Sequence, residues 1–377
     1  KHYEKNSSNY GRWLWGTLWP LSRQRKPKQL LNLISEKTML EEAIERITEI
    51  IPLEDIYIIT SKLLLEPIRE TLPDLPKENV IAEPAKRNTA PCLALAAAFI
   101  SAKYENIFKP SEISISVLTA DHLISPTFNF QQTITSTLDY VERNEKIAII
   151  GIKPQRPETG YGYIEIPKPF DYESDEVEIQ DIVRFCEKPN YEKAIEFLES
   201  GKYLWNSGMF FWRLDTFINQ LTEHLFEVGS KIPEMAVHYK NKTNVALPDS
   251  LESIAPIFEA FPDISIDYGL MEKAKNVVIA KAIFNWDDVG SWDSLSRVLP
   301  SDNSNNLSKG NNIVIDTQNS VLINTSKDNN MVLATLCIND LVVVLTDDAV
   351  LVCPKDRVQE VKRCVVELKN SNRDKWV

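Results

Sequence analysis

Two aspartates, Asp121 and Asp288, each follow an apolar run of β-forming residues. The first closes Ser116-Val-Leu-Thr-Ala-Asp121-His-Leu-Ile124, after Ile113 and Ile115 and before Pro126. The second lies in Asn285-Trp286-Asp287-Asp288-Val-Gly290-Ser-Trp292, beyond the run Val277-Val-Ile-Ala280. Ligands of open α/β sheets bind outside the carboxyl ends of the strands. A carboxylate there is well sited to hold a divalent cation against a phosphate. A turn aspartate capping the next segment has the same sequence appearance. Mg²⁺ commonly takes one or two carboxylates plus substrate oxygens, so this pair suits a metal-assisted nucleotidyl transfer between two anionic substrates.

Phosphates also call for cations. Arg23, Arg25, Lys26 and Lys28 form the one dense basic patch of the chain. It reads as a phosphate clamp or as a solvated basic loop. Glu187 and Asn206 are the types that hydrogen-bond sugar hydroxyls. Lys188, beside Glu187, suits a sugar phosphate, and equally a surface ion pair at a strand end. Thr159-Gly-Tyr-Gly-Tyr-Ile164 holds two glycines, which allow close backbone approach to a ligand or make an ordinary turn.

The elements that must position these residues alternate in type. Thr38 with Glu41 makes a capping box, and Leu40, Ile44, Ile47 and Ile51 predict a helix running to Pro52. Ile56–Thr60 reads as a strand, and another begins at Val80. The Ala-rich segment from Asn88 to Tyr104 reads as a helix with Asn88 or Thr89 as its cap and Pro91 in its first turn. The strand before Asp121 follows, then a helix over 128–143 and a strand over 147–150. Strands alternating with helices imply a right-handed, doubly wound, mostly parallel α/β sheet. Beyond it, Tyr191–Ser200 reads as a helix and Leu204–Trp212 carries Asn206 and Gly208 just before a bulky apolar strand. After Pro300 a polar stretch precedes short strands near 313–315, 321–323, 333–336, 341–345 and 350–352, and a helix over 356–369. The chain therefore divides into residues 1–300 and a small β-rich region, 301–377, marginal by itself at that size.

With 377 residues, 43% hydrophobic and 25% charged, the chain has ample core for about two domains. Its net charge of −12 argues against a general nucleic-acid or anionic-membrane binder. The five cysteines, Cys92, Cys186, Cys337, Cys353 and Cys364, form no close pair, so neither zinc nor a disulfide framework is expected and a reducing, cytoplasmic compartment is. No apolar run reaches the roughly 18 residues that a membrane helix needs. No secretory signal is visible, and the chain starts at Lys1 rather than Met.

Eight motifs occur in one order: Leu18-Trp-Pro-Leu-Ser-Arg23, Pro27-Lys28-Gln29, Glu83-Pro84 with Arg87-Asn-Thr-Ala-Pro91, Thr119-Ala-Asp121-His122, Gly160-Tyr-Gly-Tyr-Ile164, Phe185-Cys-Glu187-Lys188-Pro189, Asn206-Ser-Gly208 and Trp286-Asp-Asp288-Val-Gly-Ser-Trp292. Together they resemble the mannose-1-phosphate guanylyltransferase family, from Leu18 to the final helix. The resemblance implies a nucleotidyltransferase, glycosyltransferase-A-like fold with a β-helix-like C-terminal module often used in dimer contacts. It implies GTP and α-mannose 1-phosphate as substrates, GDP-mannose and pyrophosphate as products, and Mg²⁺ as cofactor. By position, Asp121 and Asp288 become metal ligands and Lys28 a phosphate contact. Gly162, Glu187, Lys188 and Asn206 line the sugar-phosphate pocket, while Glu83, Arg87 and Asn88 lie near the nucleotide. An in-line attack by the sugar phosphate requires no covalent enzyme intermediate.

One stretch departs from the family. Its Gly-Gly-x-Gly-Thr-Arg loop, which cradles phosphate before Leu-Trp-Pro, is replaced by Gly11-Arg-Trp-Leu-Trp-Gly16-Thr17. Only Gly16 and Thr17 match, shifted by one position, and the loop's Arg has no counterpart. An active enzyme, a non-catalytic binding or regulatory homologue, and a transferase of another base or hexose are the readings this leaves.

Overall fold

The computed structural model describes residues 17–240, 248–327 and 330–377. The altered loop Gly11–Gly16 lies outside them. Chain contacts divide the molecule into two compact units. One comprises Glu45–Thr119 and Ile124–Trp286; the other comprises Lys1–Ile44, Ala120–Leu123 and Asp287–Val377.

The first unit is built on a seven-stranded sheet. The fully buried strand Ile147–Ile152 pairs in parallel with Val277–Lys281. On its other side runs the eleven-residue strand Tyr203–Arg213, antiparallel to it and to Ser114–Val117 and Tyr163–Glu165. Arg184–Cys186 and Ile179–Asp181 close the two edges, both antiparallel. Ile58–Ser61 and Val80–Glu83 form a separate parallel pair. The α/β architecture thus carries a mixed sheet with one parallel pair, and the expected parallel order holds besides only in the separate pair of the first unit.

Successive strand residues point to opposite faces, and both faces are covered. Ile147, Ile149, Phe210, Trp212 and Ile279 pack with Ala94, Ala98 and Phe99 of the helix Thr89–Tyr104 and with Met235 and Tyr239. The helix Thr127–Arg143 packs on the strands Ser114–Val117, Ile147–Ile152 and Tyr203–Arg213. Helices and strands fall close to their predicted spans here. The helix at the capping box is shorter than predicted. It covers Met39–Glu45 and then unwinds into turns, although Thr38 and Glu41 cap it reciprocally at 2.7 and 3.2 Å.

The second unit is a short parallel coil. Leu307–Lys309, Val321–Asn324 and Leu341–Leu345 stack in parallel, with Val350–Pro354 added antiparallel. Asn312–Ile315 and Leu333–Leu336 pair as a second, parallel ribbon. Tight corners need left-handed backbone, which Asp316, Asn319, Cys337 and Asp340 adopt. At Gly310, with φ +95, a Cβ would meet the Asn324 carbonyl oxygen at 2.1 Å. Valines and leucines of the coil share one core with Leu18, Trp19, Leu31, Leu33, Val289 and Trp292. Trp19 Nε1 donates to the Trp376 carbonyl at 2.8 Å, and Trp292 Nε1 to the Trp19 carbonyl at 3.0 Å. The expected closing helix is two pieces, a 3₁₀ stretch over Lys355–Glu360 and an α-helix over Lys362–Asn370.

Candidate functional site

The candidate residues gather in sets, each within one unit. In the second unit Lys28, Asp121 and Asp288 meet. The Lys28 side chain is 8% exposed. Its ammonium lies 3.1 Å from Asp121 Oδ2 and donates to the backbone carbonyl of Asp288, 260 residues away. Gln29 Nε2 donates to the same Asp121 oxygen at 3.3 Å, and His122 Nε2 lies 3.9 Å from the other. Burial pushes the Asp121 carboxyl up, but the charges of Lys28 and His122 and the Lys28 hydrogen bond together outweigh it. Asp121 is held below the ordinary carboxylate range.

Backbone strain marks the same place. Val289, fully buried and β-branched, takes φ +45 directly after Asp288. A β-branched residue in that region is a genuine outlier, and such outliers cluster at functional sites. Gly290 follows because a Cβ there would meet Asp288 Oδ2 at 2.8 Å. Its N–H donates to Asp288 Oδ1 at 3.2 Å.

The basic patch splits by role. Lys28 is inside this site. Arg23 pairs with Asp348 at 2.8 Å, donates to the Trp376 carbonyl and stacks over Trp19, so it braces the C-terminus. Arg25 and Lys26 are exposed.

In the first unit Gly162, Glu187, Lys188 and Asn206 converge. Asn206 lies inside the long strand, not before it, and its N–H donates to the Gly162 carbonyl at 2.8 Å. A Cβ on Gly162 would meet Glu187 Oε2 at 2.7 Å, so glycine lets this carboxylate lie against the backbone. Glu187 is paired with Lys188, and Lys188 adopts φ +42. Asp267, which the sequence reading passed over, accepts from Asn206 Nδ2 at 3.0 Å. In sequence, Ser265-Ile-Asp267-Tyr268 carries no signal beyond that of a helix start. Tyr161 packs edge to face on Trp205 and on Trp286, with ring centroids 5.2 and 5.4 Å apart.

Glu83, Arg87 and Asn88 stand at the end of one strand and the start of the helix Thr89–Tyr104. Asn88, at φ +68, caps that helix by accepting from the Thr89 N–H at 2.9 Å. Arg87 donates to the Glu259 carbonyl at 3.1 and 2.5 Å, which commits its guanidinium to bracing the loop. Burial pushes the Glu83 carboxyl up to about 7, against a smaller pull from Lys86. A raised carboxyl favours the fold while protonated, so this stability is full below pH ~4.5 and is lost as pH rises through ~7. Glu83→Gln cannot ionise. Its melting temperature is expected to fall less than the wild type's between pH 5.5 and 8, and scanning calorimetry at the two pH values reads this. Equal falls in both proteins would contradict it.

Among the described residues no group of three or more His, Cys, Asp or Glu side chains is placed to hold a metal. Two carboxylates supplemented by substrate oxygens are nevertheless the usual complement for Mg²⁺. The site already draws a cation, since the Lys28 ammonium lies between the Asp121 carboxylate and the Asp288 backbone carbonyl. The donor chemistry fits a hard divalent ion. No helix among the described residues is long and apolar enough to cross a membrane.

Residues 16–305 match the family model of the nucleotidyl transferases, a class that both the α/β sheet and the lysine–aspartate set suit. Residues 310–368 match the MannoseP isomerase/GMP-like beta-helix domain. The chain belongs to the mannose-1-phosphate guanylyltransferase family of nucleotidyl transferases. It is 35% identical over 360 residues to the mannose-1-phosphate guanylyltransferase of Escherichia coli, covering 94% of this chain and 74% of that protein. It is 37% identical over 365 residues to the one of Salmonella montevideo, covering 96% and 73%. The crystal structure of a protein from Thermus thermophilus named mannose-1-phosphate geranyltransferase superposes with a TM-score of 0.77, at 30% identity, over 94% of this chain and 96% of that one. Nucleotidyl transferases of this family generally work with a divalent metal.

Proposed function

We propose that this protein transfers GMP from GTP to α-D-mannose 1-phosphate, giving GDP-mannose and pyrophosphate, with Mg²⁺. The observation that carries the reading is the meeting of Lys28, Asp121 and Asp288, drawn from three distant stretches of the chain. The names of the relatives supply the base and the hexose.

A phosphate oxygen of mannose 1-phosphate attacks the α-phosphorus of GTP in line. The new P–O bond forms as the bond to pyrophosphate breaks, and no enzyme nucleophile takes part. The chain's contribution is positioning and charge neutralisation. Lys28 brings an ammonium, fixed by Asp121 and the Asp288 carbonyl, to the phosphates. Glu187 and Asn206 accept and donate hydrogen bonds to the sugar hydroxyls, and Lys188 faces the sugar phosphate. Asp121 and Asp288 would hold Mg²⁺, which when bound would supply charge that offsets repulsion between the two anionic substrates. Product analysis tests this directly. From mannose 1-phosphate, Mg²⁺ and an equal mixture of the four ribonucleoside triphosphates, mass spectrometry should find GDP-mannose as the main sugar nucleotide. Its absence would overturn the reading.

We further infer a cytoplasmic homodimer. The five scattered cysteines support the compartment. The dimer is supported by the outer face of the coil's second ribbon. There Ile313 stands opposite Ala334 and Ile315 opposite Leu336, all exposed, flanked by Met331 and Val332. Contiguous apolar surface of this kind marks an interaction site. Ile315→Glu with Leu336→Glu is expected to give a monomer by light scattering with an unchanged melting temperature. A double variant that stays dimeric would remove this face from the interface.

A further inference from the structure

An asparagine that reads a sugar hydroxyl must have its amide fixed. Turned by half a revolution, it presents a donor where an acceptor stood. Asn206 is held at both ends. Its Oδ1 accepts from the Gly208 N–H at 3.0 Å, and its Nδ2 donates to Asp267 Oδ1 at 3.0 Å. A backbone N–H can only donate and an ionised carboxylate can only accept. The two contacts therefore admit one amide orientation of the two.

Asp267 itself stands on a built support. It opens a five-residue π-helical turn, Asp267–Met271, whose Gly269, Leu270 and Met271 are buried. Single π turns are rare and frequent at functional sites. The turn is tied to the start of the helix Thr89–Tyr104: the Ile266 N–H donates to Thr89 Oγ1 at 2.8 Å, and the Ala90 N–H to the Ile264 carbonyl at 3.2 Å. Glu187 and Lys188 bear on the same carboxyl. Burial and the Glu187 charge push Asp267 up, while Lys188 and the Asn206 hydrogen bond pull it back.

We propose that Asp267 is a positioning residue for sugar recognition, holding the Asn206 amide in one orientation beside the Glu187–Lys188 pair. This inference rests on the guanylyl transfer proposed above. It goes beyond that reading because Asp267 acts through Asn206 and need not touch the substrate. An asparagine at 267 can still accept from Asn206 Nδ2 through its own oxygen; an alanine cannot.

Steady-state kinetics with both substrates test it. Asp267→Ala is expected to raise KM for mannose 1-phosphate about tenfold, the effect of losing one hydrogen bond at a polar site, with KM for GTP and kcat within about twofold. Asp267→Asn should recover most of the loss. In an Asn206→Ala background, Asp267→Ala should add little, since the group it orients is gone. If Asp267→Ala does not fold, the exchange Asn206→Asp with Asp267→Asn carries the test. It reverses the direction of the same hydrogen bond, and should bind mannose 1-phosphate more tightly than Asn206→Asp alone. Equal rises in both KM values, additivity with Asn206→Ala, an Asp267→Asn variant no better than alanine, or an exchange without rescue would each overturn the role. An active wild type beside any of those results leaves the activity standing. A wild type that releases no pyrophosphate from GTP and mannose 1-phosphate removes the activity and this role with it.

Discussion

Lys28→Met is expected to lower turnover by about 10²- to 10³-fold, the usual effect of removing one preorganised donor from a site where charge develops. It should also cost stability. The ammonium is nearly buried and touches both the Asp121 carboxylate and the Asp288 carbonyl. Removing one partner of a buried pair costs about 3–5 kcal/mol, and Asp121 retains 22% side-chain exposure, so about 2–3 kcal/mol is expected here. The sign with pH follows from Asp121, whose carboxyl is held low. A depressed carboxyl stabilises the fold above its unfolded pKa, near 4, and the gain disappears as pH falls through the folded value. The gap between wild type and Lys28→Met, read by urea unfolding, should be full at pH 7 and shrink below pH ~4. Adding Asp121→Asn to Lys28→Met should recover part of the loss at neutral pH, because no buried charge is then left unpaired. A variant as stable and as active as wild type would show that Lys28 is a bystander.

Asp121→Asn and Asp288→Asn should each cut turnover by roughly three orders of magnitude, the first with some loss of stability because the Lys28 ammonium loses its carboxylate, the second with the fold intact. The changes are isosteric. At 288 the contact to Lys28 comes from the backbone carbonyl, and an asparagine oxygen can still accept from the Gly290 N–H. The double variant should be little worse than either single one, because groups that act as a unit do not add. Circular dichroism and pyrophosphate release on the same preparations separate loss of function from loss of fold. Full activity in the double variant would refute the metal assignment.

The sequence was most legible where physics is local. The helix starting at Thr89 announced itself through Asn88, Pro91 and an unbroken apolar run. The coil's strands over 333–336 and 341–345 fell on the predicted residues because turn-forming Asn and Asp bracket each one. Strand pairing was less legible. Nothing local in Tyr203–Arg213 tells that it runs antiparallel between two neighbours distant in sequence. Motif order pointed to Asp121 and Asp288 as a pair, since spacing alone also allowed two turn aspartates, and Lys28 joins the carboxylate of one to the backbone carbonyl of the other. The partners that the basic residues choose are long-range, so charge alone could not separate Arg23 from Lys28, and only motif order singled out Lys28. Asp267 was missed for the same reason. Its meaning lies in Asn206, sixty-one residues away, and appears only once the strand and the π turn are side by side.

The most direct test of the account is pyrophosphate release by the wild-type protein at neutral pH. With GTP and mannose 1-phosphate the rate should saturate in both substrates, vanish in EDTA and return with excess Mg²⁺. Release that needs no mannose 1-phosphate, or none at all with Mg²⁺ present, would contradict it.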